Sequence, residues 1–469
     1  MEIESNIPVE ATVLGGFTPV GASMGPKVYI ETYGCQMNVN DSEVVASILT
    51  DAGYGLTNDM SKADVVLINT CAIRENAETR VWGRLDVFAQ LKRQHPGVLV
   101  GVLGCMAGRL KEELLERRST VDVVAGPDAY RDLPHLLHEA ELGQRGVNVL
   151  LSHEETYADI SPIRLDRHGV SAFVSIMRGC NNVCAYCVVP YTRGAERSRD
   201  PQTIVHEVEH LSQMGYREVT LLGQNVDSYR WLASGAPERS AVSFADLLER
   251  VAQVDPRMRI RFATSHPKDL SREVVYTMAM YENICNHIHL PVQSGSDRML
   301  KLMNRHYTRQ GYLNRVAAIR EVLPDCAITT DVIAGFCTET ELDHDQTMSL
   351  MREVGFDMAY MFKYSERPNT KAARHYADDV PDGVKTRRLE EIIALQGELS
   401  EQSKRADVGR QLEVLVEGPS RKRPDQLMGR TSSNKTVVFP ADGHKPGDFV
   451  LVEITSCTPA TLLGRIVPE

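Results

Sequence analysis

Three short apolar runs in the first third of the chain each end beside a cysteine. They are residues 27–33, 65–70 and 98–103, which precede Cys35, Cys71 and Cys105. Runs of this length, separated by helical patterns such as Glu78–Leu91, predict the buried parallel strands of a doubly wound α/β sheet. Because parallel strands end at the same edge of a sheet, the three thiols can meet there. The alternative is three unrelated buried cysteines, since free cysteine is common in protein cores.

The segment after the first strand is predicted to be a helix. Asp41 and Ser42 have side chains suited to cap it, and Glu43 would lie in its first turn. Gly34 and Gly104, each directly before a cysteine, permit tight turns at the strand ends.

A second strand–helix series begins near Phe173. Its six predicted strands are residues 173–177, 218–222, 259–263, 287–290, 327–333 and 358–364. Helical patterns such as Gln202–Met214 and Glu341–Val354 separate them. Six such units predict a partial (β/α)6 barrel, because a complete barrel needs eight. A polar helix at Arg387–Lys404 is expected to end this domain.

The last segment changes to a period of two, which is typical of strands. Residues 412–417, 436–439, 448–454 and 462–467 predict a small β-barrel. The chain is therefore expected to comprise a flexible lead-in (1–25), a first α/β domain (26–142), a linker (143–165), the partial barrel (166–403) and the terminal β-barrel (404–469).

A second group of cysteines directly follows the first strand of the partial barrel. Cys180, Cys184 and Cys187 have C-x3-C-x2-C spacing. Three thiolates can hold three irons of a 4Fe–4S cube and leave the fourth iron open to a small molecule. The alternative is a structural zinc site, which normally needs four ligands. No obvious fourth ligand lies near these cysteines in the sequence.

This run, with Tyr186 before its last cysteine, resembles the signature of the radical S-adenosylmethionine superfamily. The resemblance implies that the open iron binds S-adenosylmethionine, whose one-electron cleavage gives methionine and a 5′-deoxyadenosyl radical. The residues it implies for binding S-adenosylmethionine are Tyr186, Gly223, Gln224 and Asn225, with Gln293 and Ser294 as weaker candidates. Read alone, each of these is more often a polar loop end.

Two such cysteine groups followed by a small β-barrel resemble the methylthiotransferase family, from about Lys27 to Val467. The matching stretches are residues 32–38, 69–75, 104–107, 187–194 and 223–226, and the terminal barrel resembles an OB-like, RNA-binding TRAM domain. The resemblance implies two 4Fe–4S clusters, with an auxiliary cluster on Cys35, Cys71 and Cys105 that supplies sulfur. One S-adenosylmethionine would methylate that sulfur. A second would provide the radical that removes hydrogen from C2 of an adenine.

Gln36, Met37 and Asn38 favour the family members that act on N6-(dimethylallyl)adenosine at position 37, next to the tRNA anticodon. The alternatives are family members that act on threonylcarbamoyl-adenosine tRNA or on a ribosomal protein. A further alternative is a non-catalytic, metal-stabilised RNA-binding protein. For the enzyme we expect a tRNA anticodon stem-loop as substrate, an electron donor such as flavodoxin or ferredoxin, and a monomer.

The formal net charge is −11, so RNA binding must depend on local basic patches. Residues 404–469 carry ten basic and eight acidic side chains, and Arg421, Lys422 and Arg423 are predicted to contact RNA. Arg193, Arg197 and Arg199 are either phosphate- or carboxylate-binding residues or a solvated basic patch. No apolar run is long enough for a membrane span and no targeting segment is evident, so a cytoplasmic protein is expected.

One stretch departs from the family pattern. The family commonly shows Gly-Phe-Pro-Gly-Glu-Thr after the fifth barrel strand, whereas Cys337 and Thr338 replace the proline and glycine here. This replacement is expected to change the turn and its contacts with the adenine of S-adenosylmethionine.

Overall fold

The computed structural model describes residues 12–13, 25–71, 75–165, 169–421 and 423–468. Most of the predicted lead-in lies outside these residues, as do Lys422 and residues 72–74 of the resemblance. No helix in the described part of the chain has the length and hydrophobicity needed to cross a membrane.

The first domain is built on a seven-stranded sheet in the order β1-β2-β4-β5-β6-β7, with β3 paired to β2. Its strands are β1 (Thr12–Val13), β2 (Lys27–Thr32), β3 (Gly55–Leu56), β4 (Val65–Thr70), β5 (Leu99–Gly104), β6 (Val123–Ala125) and β7 (Gly146–Asn148). Every pairing is parallel except that of β1 with β2. Because β7 extends this sheet, part of the predicted linker is structured and packs with the first domain.

Helices cover both faces of this sheet. They are α1 (Gln36–Asp51), α2 (Glu75–Gln94), α3 (Cys105–Leu110), α4 (Glu113–Arg117) and α5 (Leu133–Glu141). Alternate strand residues point to opposite faces. Val65 and Leu67 therefore pack in one core, which also contains Leu49 of α1, whereas Val66 and Ile68 pack in the other. The predicted doubly wound sheet is confirmed.

The predicted helix cap at Asp41 and Ser42 is wrong. α1 begins at Gln36, directly after Cys35, so Asp41, Ser42 and Glu43 lie inside the helix and are buried. Their side chains bind other groups: Ser42 bonds Thr32 at 2.7 Å, while Asp41 and Glu43 pair with arginines outside the first domain. The polar pattern marks an interface, not a helix end.

The second domain contains six parallel strands in two groups of three. The six are β8 (Ser171–Ser175), β11 (Glu218–Leu222), β14 (Arg259–Ala263), β15 (His287–His289), β16 (Ala327–Ala334) and β17 (Met358–Lys363). Two short antiparallel pairs lie outside these groups: β9 (Met177–Arg178) with β10 (Arg197–Ser198), and β12 (Arg230–Trp231) with β13 (Val242–Ser243). β8, β11 and β14 pair side by side, as do β15, β16 and β17. A bridge between Ile260 of β14 and Ile284, in the segment that leads into β15, connects the two groups. Among the described residues β17 does not pair with β8, so the predicted partial barrel is confirmed.

The helices of this domain surround the strands. They are α6 (Val189–Arg193), α7 (Pro201–Gln213), α8 (Phe244–Ala252), α9 (Arg272–Met280), α10 (Asp297–Leu302), α11 (Arg309–Val322), α12 (Glu341–Val354), α13 (Lys371–His375) and α14 (Asp382–Arg405). Short 3-10 helices in the chain are Met60–Lys62, Tyr130–Asp132, Val226–Ser228 and Glu238–Ser240.

The terminal domain is a closed barrel in the order β18-β19-β20-β22-β21. Its strands are β18 (Gln411–Pro419), β19 (Gln426–Thr431), β20 (Thr436–Pro440), β21 (Phe449–Cys457) and β22 (Leu462–Ile466). β19 was not among the predicted strands. It contains Gly429, where a Cβ atom would lie 2.2 Å from the carbonyl oxygen of Leu415. Glycine there permits close pairing with β18, although it weakens the strand pattern in the sequence.

The terminal barrel docks at the end of the partial barrel where the strands begin. Arg259, the first residue of β14, donates to the carbonyl oxygens of Arg430 (2.6 Å) and Glu413 (2.9 Å). Arg261 donates to the carbonyl of Thr431 at 2.7 Å. The cysteine-containing loop that follows β9 lies beyond the other end of the strands, so the two features occupy opposite ends of the partial barrel.

Candidate active site: two cysteine triads and their buried arginines

The structure brings the three strand-end cysteines of the first domain to one sheet edge. Cys35 precedes α1, Cys71 follows β4, and Cys105 is the first residue of α3. Cys35 and Cys71 are hydrogen-bonded. Gly34 has φ +133°, and a Cβ atom there would lie 2.6 Å from Cys71 Cβ, so glycine is required for the two strand ends to approach.

A buried arginine from the second domain contacts this triad. Arg193 Nε donates to Cys105 Sγ at 3.2 Å, and its Nη2 donates to Asp41 Oδ2 at 2.7 Å. The hydrogen bond from Cys71 and the charge of Arg193 outweigh burial and lower the pKa of Cys35 to about 6. Burial raises the pKa of Cys105 despite Arg193. Thiolates are the iron-binding form, so a fixed cation here suits a thiolate-bound cluster.

The second triad lies in the loop between β9 and α6 and also has its own arginine. Arg305 Nη1 donates to Cys184 Sγ at 3.2 Å, and its Nη2 donates to the carbonyl of Pro291 at 2.9 Å. Burial, reinforced by neighbouring thiols, raises the pKa of Cys180 to about 11 and that of Cys187 to about 12. Metal binding releases such protons, because the ligand is the thiolate.

The donor set of each triad fits a cluster. A structural zinc ion normally binds four side chains, whereas each triad offers three thiols. In a 4Fe–4S cube each thiolate binds a different iron. Three thiols and one buried arginine at each site match the donor set and the negative charge of such a cube.

Buried polar atoms without partners lie beside the second triad, at the ends of β11 and β14. They include Gln224 Oε1, Asn225 Oδ1 and His266 Nε2. Buried polar groups are normally paired, so these three atoms mark a ligand-binding cradle. Asn182 of the cysteine loop and Asn225 both donate to Asp269 Oδ2, at 3.2 and 2.7 Å, which fixes the cradle against the loop.

The cradle has the chemistry to bind an amino acid group. His266 Nδ1 accepts from the Lys268 amide at 3.2 Å. Burial and nearby cations lower the pKa of His266 to about 2, so the ring is neutral and its Nε2 carries the proton. Two acceptor oxygens suit an ammonium and an N–H donor suits a carboxylate. These are the two groups with which the methionyl part of S-adenosylmethionine would bind.

The remaining candidates differ in what surrounds them. A Cβ atom at Gly223 would lie 2.5 Å from Met177 Cγ, so glycine permits the close turn after β11. Tyr186 is partly buried, with its ring against Phe336 and its hydroxyl 3.4 Å from Arg305 Nη1. Ser294 is buried and its hydroxyl bonds Thr347 at 3.2 Å, within the fold.

Gln293, in the loop after β15, has a left-handed backbone (φ +69°). Its contact with S-adenosylmethionine stays a prediction. Thr338 takes a left-handed backbone (φ +62°), which glycine favours, and the effect of Cys337 and Thr338 on contacts with adenine stays a prediction.

The three arginines after the second triad are neither solvated nor available to substrate. Arg193 pairs with Asp41, Arg197 with Asp128 and Arg199 with Glu207. All three arginines are buried, because they hold the first domain and the linker against the partial barrel. The interpretation as carboxylate-binding residues is therefore confirmed, although the carboxylates belong to the chain itself, and the interpretation as a solvated basic patch is wrong. Arg421 and Arg423 are exposed in the loop between β18 and β19, and their contact with RNA stays a prediction.

Two functional candidates, Arg305 and His266, were missed from the sequence. His266 follows β14 at the edge where the cradle forms, so its position after a strand was the available signal. Arg305 lies 121 residues beyond Cys184 in a loop, and nothing in the local sequence indicates its contact.

Curated relatives match nearly the whole chain. The tRNA-2-methylthio-N(6)-dimethylallyladenosine synthase of Amoebophilus asiaticus is 58% identical over 94% of this chain and 92% of the relative. The synthases of the same name from Chloroherpeton thalassium and Bacteroides thetaiotaomicron are 55% and 54% identical, over 94% and 96% of this chain and 96% and 98% of those relatives. The chain belongs to this synthase family. Both cysteine triads and the cradle described above are thus features of a family member.

Family descriptions and solved structures agree with this assignment at the level of domains. The Uncharacterized protein family UPF0004 matches residues 27–126, the Radical SAM superfamily residues 174–351 and the TRAM domain residues 405–467. The radical S-adenosylmethionine methyltransferase TsrM from Kitasatospora setae superposes with a TM-score of 0.55 at 14% identity, over 74% of this chain and 77% of that one. The radical enzyme OxsB gives 0.51 at 12%, over 81% and 56%. These neighbours support the fold of the synthase.

Proposed function

We propose that this protein is a tRNA methylthiotransferase. It adds a methylthio group to C2 of N6-(dimethylallyl)adenosine at position 37, next to the anticodon, and gives 2-methylthio-N6-(dimethylallyl)adenosine. The observation that carries the proposal is that α6 links the two cysteine triads. This helix follows Cys187, and its last residue, Arg193, donates a hydrogen bond to Cys105. The near full-length identity with synthases named for this nucleoside supports the substrate.

The two cofactor sites have separate residues. Cys180, Cys184 and Cys187 would hold the radical-forming cluster, and Cys35, Cys71 and Cys105 the auxiliary one. When bound, the clusters and S-adenosylmethionine supply a carbon-centred radical, a methyl group and the transferred sulfur. Such chemistry is needed because an aromatic C2–H bond is strong and not acidic, and the cofactors carry it while the protein positions them.

The chain's own groups perform binding and orientation. The Gln224 and Asn225 oxygens would accept from the amino group of S-adenosylmethionine, and the His266 Nε2–H would donate to its carboxylate. Arg305 and Arg193 each hold one thiolate through an N–H donor, which fixes the ligand and balances its charge. The Asp41 carboxylate fixes Arg193, and so connects the first domain to the partial barrel.

The partners follow from the substrate. A tRNA anticodon stem-loop must bring one adenine between the two triads, and the TRAM domain, with Arg421 and Arg423, would contact the same RNA outside the site. A low-potential donor such as flavodoxin or ferredoxin would provide electrons. We expect a monomer that acts in the cytoplasm, where tRNA is modified.

Nucleoside mass analysis tests the assignment. The gene should restore 2-methylthio-N6-(dimethylallyl)adenosine in bulk tRNA of a strain that lacks this modification, whereas a Cys184→Ala variant should not. Conversion of threonylcarbamoyl-adenosine instead, with the dimethylallyl nucleoside unchanged, would contradict the proposed substrate.

A further inference from the structure

A basic pocket opens to the surface beside the second triad. Its lining includes Cys184 and Cys187, with Tyr191 of α6 on one side and Lys371, Arg374 and His375 of α13 on the other. Tyr191 is 44% exposed, and the three α13 residues are exposed as well. Neither Lys371 nor Arg374 forms an ion pair with an acidic side chain in the described ranges. In a chain with net charge −11, such a local concentration of positive charge indicates an anionic partner.

The rim of the pocket combines a cation with an aromatic face. The Arg374 guanidinium carbon lies 5.4 Å from the centroid of the Tyr191 ring, and Arg374 Nε donates to the carbonyl of Asn369 at 3.1 Å. Exposed aromatic rings and arginine planes are the groups on which unpaired nucleobases stack, while neighbouring cations bind phosphate.

The rim is held at a fixed position relative to both triads. The amide of Ala372 in α13 donates to the carbonyl of Ala185, in the cysteine loop, at 2.7 Å. On the other side, Val188 packs against Cys105, and Arg193 at the end of α6 contacts the same thiol. Tyr191 thus lies on the short helix that separates the two cysteine groups. A substrate that reaches between the groups must pass this helix.

We propose that Tyr191, Arg374 and Lys371 form a binding surface for the unpaired nucleotides that flank the target adenine. Tyr191 and Arg374 stack a neighbouring base, and Lys371 binds a phosphate. This inference rests on the proposed function, because it assigns residues to recognition of the same RNA. The surface would bind the anticodon loop beside the triads, whereas the TRAM domain would bind another part of the RNA at the far end of the partial barrel. An acidic electron-donor protein is the competing occupant, but stacking groups are not needed for that role.

Binding of a dimethylallyl-containing anticodon stem-loop RNA to the cluster-loaded holoenzyme tests the inference, with fluorescence anisotropy as the readout. Tyr191→Leu should weaken binding about 5- to 150-fold, which corresponds to removal of one stacking aromatic, and Tyr191→Phe should restore it. Arg374→Gln should also weaken binding, because a stacking group is lost. Lys371→Gln should weaken binding and reduce the salt dependence, by about 0.7 in the slope of log K against log salt for each single-strand phosphate that is no longer neutralised. Tyr276→Leu on α9 and Arg352→Gln on α12 are matched exposed controls, and both should bind as the wild type does.

Iron content, measured on each variant, confirms that the triads are still loaded. Unchanged RNA affinity in Tyr191→Leu and Arg374→Gln would overturn the inference. Selective loss of flavodoxin-supported turnover, with dithionite-supported turnover and RNA affinity intact, would overturn it in favour of a reductant-binding surface. If the wild type binds and converts the RNA in either case, the proposed function stands while this inference fails.

Discussion

Replacement of Asp41 by Asn should destabilise the contact between the first domain and the partial barrel. The Asp41 carboxylate is fully buried and accepts from Arg178 Nη1 at 2.8 Å and Arg193 Nη2 at 2.7 Å. Asn has the same shape but no charge, so two buried guanidiniums lose their shared counter-ion. Removal of one partner from a buried ion pair typically costs about 3–5 kcal/mol. Arg178 keeps the carbonyl of Pro127 at 2.9 Å, so we expect the lower end, about 3 kcal/mol.

The two tryptophans allow this destabilisation to be located. Trp82 lies in α2 of the first domain and Trp231 in β12 of the second, so variants with only one tryptophan report the unfolding of each domain separately. With a denaturant slope of about 3 kcal/mol per M, Asp41→Asn should lower the urea midpoint by roughly 1 M in both single-tryptophan variants. Asp59→Asn is the control, because the Asp59 side chain is 46% exposed and its pair with Lys62 should contribute little to stability.

The stability lost in Asp41→Asn should depend on pH. Burial opposes ionisation of Asp41, but Arg178 and Arg193 outweigh it and hold the pKa below its usual value. A carboxyl group with a lowered folded-state pKa stabilises the protein above its unfolded pKa of about 4, and this stabilisation is lost as the pH falls through the folded value. The difference between wild type and Asp41→Asn should therefore be full at pH 7 and shrink below about pH 4. The ion-pair reasoning would be refuted if the substitution lowered stability equally at pH 7 and below pH 4. An unchanged urea midpoint at pH 7 would refute it as well.

Three further variants test individual side chains. Arg305→Gln should make the reduction potential of the Cys184-bound cluster more negative, because a nearby positive charge is removed; a redox titration with unchanged iron content checks this, and an unaltered potential would contradict it. Thr338→Gly should stabilise the protein by about 0.5–1 kcal/mol, since it relieves a left-handed β-branched residue; destabilisation would mean that the Arg298 bond to the threonine hydroxyl dominates. His266→Phe should weaken binding of S-adenosylmethionine about 10-fold in equilibrium dialysis, and unchanged binding would exclude His266 from the cradle.

The sequence predicted the strands well because apolar runs bounded by polar turns determine them locally. Glu218–Leu222 and Arg259–Ala263 coincide with their predicted bounds, and all six barrel strands are present. The meeting of the strand-end cysteines followed from the parallel sheet alone. β19 escaped prediction because Gly429, needed for close pairing, is not a typical strand residue.

Long-range polar contacts could not be predicted in the same way. The polar residues of α1 resemble a helix cap or a solvated face, but Asp41 binds Arg178 and Arg193, which lie 137 and 152 residues away. Whether a charged side chain is exposed depends on which domain packs against it, and no local pattern carries that information. For the same reason, the sequence did not show that the arginines after Cys187 bind carboxylates of this same chain and form the domain interface.

Iron analysis of two triple variants tests the central claim most directly. The anaerobically reconstituted wild type should contain about eight irons and eight sulfides, as two cubes. Replacement of Cys35, Cys71 and Cys105 by Ala should leave about four irons and cleavage of S-adenosylmethionine to 5′-deoxyadenosine, but no methylthio product. Replacement of Cys180, Cys184 and Cys187 should also leave about four irons and abolish that cleavage. Loss of all iron from either variant, or zinc in place of iron in the wild type, would contradict two independent clusters.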